Sequence, residues 1–204
     1  FFAGVEYGDR PVKNETAERR KAKEIAELEQ RLQAIEHQLI LLEPLASKDA
    51  SDHSPRRAPI DHLGNVERFE SIDARFIRFT VLGTEDNNRH EPCLDELEIF
   101  RAGAPTINVA HSSLGVKTSS SGNYSESGIH QLKHINEGLY GNSHSWISNE
   151  KGGGWVQFEL PRIEKIDRIT WSRDRNDQFK DRLPIEYRIE VANESGQWKT
   201  IAGS

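Results

Sequence analysis

Two different periods of hydrophobic residues divide the chain into a helical part and a β part. Between residues 15 and 43, large aliphatic side chains recur at alternating steps of three and four, as in a coiled-coil heptad. These seam positions are Ile25, Leu28, Leu32, Ile35, Leu39 and Leu42. Asn14 or Thr16 can cap the start of this helix, and Pro44 ends it. Because about three heptads are marginally stable alone, the seam requires a partner: a second copy, a helix of a longer parent protein, or the rest of the chain.

From Phe69 onward the period changes to two, which is typical of half-buried strands. Hydrophobic and polar residues alternate clearly over residues 75–81 and 185–191, and over shorter runs at 97–99 and 156–160. Clusters of Gly, Asn, Ser and Pro separate these runs, and residues 47–69 before them show no period. Many short strands with polar connections predict a mainly β fold, an antiparallel sandwich or jelly roll.

Charge and composition exclude several classes of protein. The net charge of -6 argues against a nucleic-acid binder, which normally has a basic face. No apolar run approaches the ~20 residues that span a bilayer, so membrane insertion is not expected. The first residues lack the features of a signal peptide. Cys93 is the only cysteine, which rules out an internal disulfide and a Cys-x-x-Cys metal or haem motif, and we expect it to be a buried, unreactive thiol.

Several segments together resemble the discoidin family (coagulation factor 5/8 type C), whose fold is a galactose-binding-like jelly roll. The resemblance lies in residues 107–110, 135–138, 145–146, 154–160, 166–169, 187–191 and 193–198. Two strands that usually close the family's domain are similar to residues 75–78 and 96–99, which here come first. The resemblance therefore implies a circularly permuted sandwich over residues 70–204. The alternative is the tail of one such domain followed by the front of another.

A narrower resemblance covers nearly the whole chain. Residues 134–150 and 173–184 are similar to the discoidin-like insert of planctomycete-type cytochrome proteins. This resemblance implies a large exported bacterial parent, periplasmic or on the cell surface, with c-type haem outside this fragment. The predicted organisation is then a remnant of a preceding domain (1–14), a helix or coiled coil (15–46), a linker (47–69) and the sandwich (70–204).

We expect the ligand face at the loops of one end of the sandwich. Sugar recognition needs planar hydrogen-bond donors for hydroxyls and a ring that packs on the apolar face of a pyranose. The predicted carbohydrate-binding residues are Arg173, Asp174, Arg175, Asn176, Phe179 and Arg182, with Tyr124 from a second loop. The same charged residues can instead pair with one another and brace the loop. Two functions follow: a carbohydrate-binding module that tethers its parent to polysaccharide, or a structural module for interdomain or protein–protein contacts without sugar binding.

The resemblance also implies a structural Ca²⁺ ion. Its expected ligands are Glu96, Asn136, Glu137, Asn142 and Ser145, through side-chain or backbone oxygens. Asn136 and Glu137 stand where the family usually has Asp, and the alternative is a hydrogen-bonded loop without an ion. His130 and His134 have the spacing of a zinc-protease helix, but Gln131 replaces its glutamate, so we expect two surface histidines. No pair of catalytic groups with suitable spacing is evident, and no enzyme is predicted.

Overall fold

The computed structural model describes residues 19–25, 28, 31–32 and 58–204. The chain separates into two compact units, Phe1–Asp52 and His53–Ser204. All described residues of the first unit are helical, in agreement with the helix predicted over 15–46, and they are exposed. The other seam positions and the predicted domain remnant at 1–14 lie outside the described residues. Within the described part, no helix combines the length and the apolar character needed to cross a bilayer.

The second unit is built from antiparallel strands. They are β1 (Asn65–Thr84), β2 (Cys93–Leu94), β3 (Glu96–Arg101), β4 (Ala104–Asn108), β5 (Lys117–Ser120), β6 (Trp146–Ile147), β7 (Gly154–Ser172), β8 (Pro184–Ala192) and β9 (Lys199–Gly203). Short 3-10 turns lie at Ser112–Leu114, Leu132–Asn136 and Asn142–His144. A helical turn at Glu85–Asn88 contains left-handed residues, Asp86 and Asn87. The main sheet has the order β4-β3-β7-β1-β8-β9, β5 also pairs with β7, and β2 pairs with β6.

Two long strands bend and run through both halves of the sheet. Residues 65–74 of β1 pair with residues 164–171 of β7, and residues 76–81 pair with residues 154–159. Register shifts near Ala74 mark the bend between the two pairings. The hydrophobic faces of the two halves meet: the Phe79 ring lies 5.2 Å from the Trp171 ring and 4.8 Å from the Tyr187 ring, between centroids. The result is a β-sandwich-like fold with one core.

The strands predicted from alternation occur and pair with one another. Within β1 and β8, Phe79 faces Ile189 in the ladder, and β3 joins the same sheet through β7. The mainly β, antiparallel prediction is therefore confirmed. However, β1 begins at Asn65, inside the segment 47–69 that was predicted to be linker. The alternation is hidden there because Glu67 is buried, and its carboxylate accepts a hydrogen bond from the Tyr187 hydroxyl.

The core contains aromatic and aliphatic side chains from both halves. Cys93 is fully buried, as predicted, and burial raises the pKa of its thiol to about 11. Trp146 and Trp171 are also fully buried, whereas Trp155 and Trp198 are only partly buried. The sandwich thus uses two of its four tryptophans in the core and leaves two near its surface.

Candidate functional site

The loop between β7 and β8, residues 173–183, is held in shape by two buried charged residues. The Asp174 carboxylate accepts three backbone N–H groups from the following five residues, at 2.8–3.1 Å. Arg173 donates from Nε to the Asp181 carbonyl (2.6 Å) and pairs with the Asp181 carboxylate (2.9 Å). Both Arg173 and Asp174 were predicted to contact sugar. The structure places them inside the loop, where they brace it and do not face solvent.

Asp95, between β2 and β3, joins this loop to the neighbouring one. Its Oδ2 atom accepts hydrogen bonds from the backbone N–H groups of Arg175 (2.8 Å) and Gly141 (3.0 Å). Its Oδ1 atom accepts a hydrogen bond from the Ser172 hydroxyl. Asp95 is fully buried, so these bonds form away from water. Asp95 was not predicted as a functional residue, because a single carboxylate outside any hydrophobic period has no distinguishing pattern in the sequence.

Gly141 allows the two loops to approach closely. Its φ of +94° lies in the region that side chains other than glycine rarely adopt, and a Cβ there would lie 2.3 Å from Asn176 Nδ2. The same Asn176 amide donates to the Tyr140 carbonyl at 3.2 Å. The contact between the loops therefore depends on the absence of a side chain at Gly141.

A set of exposed and half-buried polar and aromatic groups lies on these braced loops. The Arg175 guanidinium lies over the Tyr140 ring at 4.3 Å, with Nε bonded to Ser172 Oγ (2.8 Å) and Nη2 to Glu98 Oε2 (2.6 Å). Asn176 and Phe179 are exposed on the same loop as Arg175. We call Tyr140, Arg175, Asn176 and Phe179 the loop-end surface.

Arg182 and Tyr124, the other predicted sugar ligands, lie together but are engaged elsewhere. Arg182 Nη1 pairs with the Glu91 carboxylate at 2.5 Å, and its guanidinium lies 5.6 Å from the centre of the Tyr124 ring. The Tyr124 hydroxyl donates to Glu126 at 2.8 Å. Burial raises the pKa of Glu91, but a backbone hydrogen bond and Arg182 outweigh it, and the pKa lies below its usual value. These contacts occupy the Arg182 guanidinium and the Tyr124 hydroxyl.

Glu96, the first of the predicted calcium ligands, has an unusual environment. Its Oε1 atom accepts the Gly138 N–H at 3.1 Å, while its buried Oε2 atom has no hydrogen-bond partner in the part of the chain that the structure describes. Burial raises the pKa of Glu96 to about 8, and the nearby carboxylates of Glu98 and Asp95 act in the same direction. A buried carboxylate oxygen without a partner is what a bound cation would satisfy.

The other predicted calcium ligands use their polar groups in other contacts. Asn136 donates from its amide to the Ala110 carbonyl (2.6 Å), and Asn142 Oδ1 accepts from Arg173 (3.3 Å). Ser145 Oγ donates to the Asn142 carbonyl (2.7 Å) and lies 2.8 Å from His130 Nδ1. Of the predicted calcium ligands, only Glu96 has a buried side-chain oxygen without a hydrogen-bond partner among the described residues. His130 is buried, so its predicted surface position is wrong.

Glu137, the fifth predicted calcium ligand, lies with two histidines. Its Oε1 atom is 2.6 Å from His134 Nδ1 and 2.7 Å from His144 Nδ1. Burial raises the pKa of Glu137, but hydrogen bonds from His144 and His134 outweigh it and hold the pKa below its usual value. The proximity of His134, Glu137 and His144 was not predicted from the sequence.

Comparison of the chain with models of known protein families gives no match, and comparison with curated proteins gives none either.

Proposed function

We propose that the chain is a non-catalytic carbohydrate-binding module that tethers an exported bacterial cytochrome-type parent to polysaccharide. The proposed scaffold is a circularly permuted discoidin-like jelly roll. Strand pairing supports this permuted order: β1 and β3, which resemble the family's closing strands, pair with β7 and β8. Both pieces of the resemblance thus belong to one sheet.

The loop-end surface is the observation that carries the proposal. It combines an exposed phenyl ring, an exposed amide and a guanidinium that is fixed over a tyrosine ring by Glu98 and Ser172. These are the groups that stack on a pyranose and bond its hydroxyls. Asp95 and Asp174 hold the supporting loops before any ligand arrives, which lowers the entropic cost of binding. An open surface that contacts one or two sugar rings gains about 4 to 8 kcal/mol, equivalent to millimolar to micromolar affinity.

A glycan array followed by titration calorimetry tests the proposal through Phe179→Ala. The Phe179 ring is 42% exposed, so its removal should leave the melting temperature nearly unchanged. Loss of a stacking face should weaken sugar binding by about 1.5 kcal/mol, roughly tenfold. Ile163→Ala, at a comparably exposed position of 52% at the bend of β7, is the matched control and should bind as the wild type does. Absence of any glycan ligand, or equal binding by both variants, contradicts the proposal.

The proposed module includes a structural Ca²⁺ ion held by Glu96. The buried Oε2 atom without a hydrogen-bond partner supports this placement. Backbone carbonyls of the loop around Gly138, whose N–H bonds to Glu96, are the proposed source of the other oxygen ligands. Calcium should raise the melting temperature of the wild type and not that of Glu96→Gln. If calcium leaves the melting temperature of the wild type unchanged, the calcium site is contradicted. The proposal of sugar binding is not affected by that result, because the glycan array and calorimetry test it separately.

A structural or assembly module is the second candidate function, and the helix favours it. Ile25, Leu28 and Leu32 are 55%, 56% and 58% exposed, although they occupy consecutive seam positions. A helix with such a seam is stabilised by a partner helix. Leu32→Asp should convert an oligomer into a monomer in light scattering, while Lys23→Asp, on the helix face opposite the seam, should not. A monomeric wild type contradicts self-association through this seam.

A further inference from the structure

Three metal-binding side chains meet between two short turns of the sandwich unit. His134 lies in the turn Leu132–Asn136, Glu137 follows it, and His144 ends the turn Asn142–His144. One ligand atom from each of the three residues lies within 4.8 Å of the other two. The two Nδ1 atoms lie 2.6 and 2.7 Å from the same carboxylate oxygen, and the two imidazole planes meet at 84°. The three ligand atoms are therefore close enough together to hold one ion.

The backbone around this cluster is anchored in the core on both sides. Ile135 and Asn136 are buried, and the Asn136 amide donates to the Ala110 carbonyl at 2.6 Å. After His144, Ser145 and Trp146 are fully buried. The three ligand side chains themselves are 12%, 23% and 37% exposed, so an ion can reach them from solvent. The arrangement is thus fixed before a metal arrives and is open on one side.

We propose that His134, Glu137 and His144 bind a divalent transition-metal ion, Zn²⁺ in the first instance. Two imidazole nitrogens and one carboxylate oxygen are ligands for zinc, whereas Ca²⁺ selects oxygen ligands alone. Ligands about 2.1 Å from a tetrahedral ion lie about 3.4 Å apart. The present contacts of 2.6 and 2.7 Å must therefore open slightly as the ion replaces the two hydrogen bonds. Water occupies the fourth position.

The ion would link the two ends of the segment that bears Tyr140. Between His134 and His144 lie Gly138, whose N–H bonds to Glu96, and Gly141, whose N–H bonds to Asp95. A metal that joins residues 134 and 144 restricts this segment from its outer side. The zinc site thus supports the loop next to the loop-end surface, and its existence does not depend on sugar binding.

Titration calorimetry of the full chain with ZnCl₂ tests the site. We expect one zinc ion per chain with a dissociation constant in the micromolar range or below. His144→Ala should weaken binding at least about 100-fold, because loss of a ligand costs more than loss of a residue that only hydrogen-bonds to a ligand. His90→Ala is the matched control, since the His90 side chain is 39% exposed against 37% for His144 and belongs to no such cluster among the described residues. It should bind zinc as the wild type does.

Glu137→Gln separates metal binding from a structural role of the same residues. The amide oxygen still accepts a hydrogen bond, so this variant should fold with an unchanged circular dichroism spectrum, yet it should lose zinc affinity at least tenfold. Co²⁺ bound to the wild type should give the intense visible absorption of a four-coordinate ion, and neither variant of the site should give it. Wild type without zinc binding, or His144→Ala and Glu137→Gln with wild-type affinity, overturns the proposal.

Discussion

Two arginines of the sandwich unit lie against aromatic rings, one on the sheet and one on the loops. Arg78 on β1 lies between Trp155 and Trp198, with its guanidinium 4.8 and 4.2 Å from the two ring centres. Its Nε and Nη2 atoms both bond to Gln157, its neighbour in the β1–β7 ladder. Sheet register places Arg78 beside Gln157 and near Trp155, and Trp198 comes from the loop before β9. The hydrogen-bond acceptor of Arg78 is neutral.

The arrangement around Arg175 depends on buried charge instead. Its guanidinium lies over Tyr140 and pairs with Glu98, and its backbone N–H bonds to Asp95. No strand ladder positions Tyr140, which lies in a loop. The two arginines are thus held against aromatic rings in different ways. Strand register places Arg78 beside its hydrogen-bond partner, and we expect this arrangement to tolerate single changes. Arg175 depends on the buried Asp95 carboxylate, which bonds to two loops at once. We therefore expect single substitutions to alter the loop-end surface more than the sheet face.

Asp95→Ala should have the largest effect. The change leaves two buried N–H groups and the Ser172 hydroxyl without their acceptor, which should lower the free energy of unfolding by about 3 kcal/mol. Urea unfolding followed by tryptophan fluorescence measures this loss. Asp95→Asn keeps an acceptor oxygen and should lose less. A loss below about 0.5 kcal/mol for Asp95→Ala would mean that the loops are held by other contacts.

Glu96→Gln should change how stability depends on pH. The pKa of Glu96 is about 8 in the folded protein, against 4.5 as the ordinary value, so the folded protein keeps a proton that the unfolded chain releases. Stability of the calcium-free wild type should therefore fall as pH rises from 4.5 through 8. The neutral amide removes this fall, and at pH 9 the variant should be more stable by about 2 kcal/mol. Thermal unfolding between pH 5 and pH 9 without calcium measures it, and parallel curves would contradict the prediction.

Arg175→Ala and Arg78→Ala should differ in their response to salt. Each should lower the free energy of unfolding by about 1 kcal/mol, since each removes hydrogen bonds and a cation–π contact. The Arg175 effect should shrink at high salt because its partner Glu98 is charged, whereas the Arg78 effect should persist because Gln157 is neutral. Urea unfolding at low and high NaCl gives both values. Equal salt dependence would remove the distinction between the two arrangements.

Alternation predicted the strands because one face of each is apolar throughout. Residues 75–81 and 185–191 have this pattern, and both form strands that pair in one sheet. The first part of β1 was missed, because buried Glu67 bonds to a tyrosine on another strand and no local pattern records such a partner. A period of two describes a strand and its two faces, and does not describe contacts across the core.

The sequence predicted a ligand-binding loop at residues 173–182, and sugar binding there stays a prediction. In the structure this segment is the loop between β7 and β8, and it carries exposed Asn176 and Phe179. Arginine and aspartate are also the residue types expected of sugar ligands on a surface, so the sequence does not distinguish the two roles. Only the three-dimensional packing shows that Arg173 and Asp174 are buried. His134 and His144 lie ten positions apart without a motif, so their contact with Glu137 depends on how two turns fold back.

The bent strands β1 and β7 also have a consequence for synthesis of the chain. Residues 65–81 find their ladder partners only at residues 154–171 and 187–192, between 73 and 116 positions later. During translation, β1 therefore leaves the ribosome long before any strand that can pair with it, with hydrophobic residues such as Ile77 and Phe79 uncovered. Pairing of this range makes folding slow. The nascent domain consequently requires protection from aggregation until β7 has emerged.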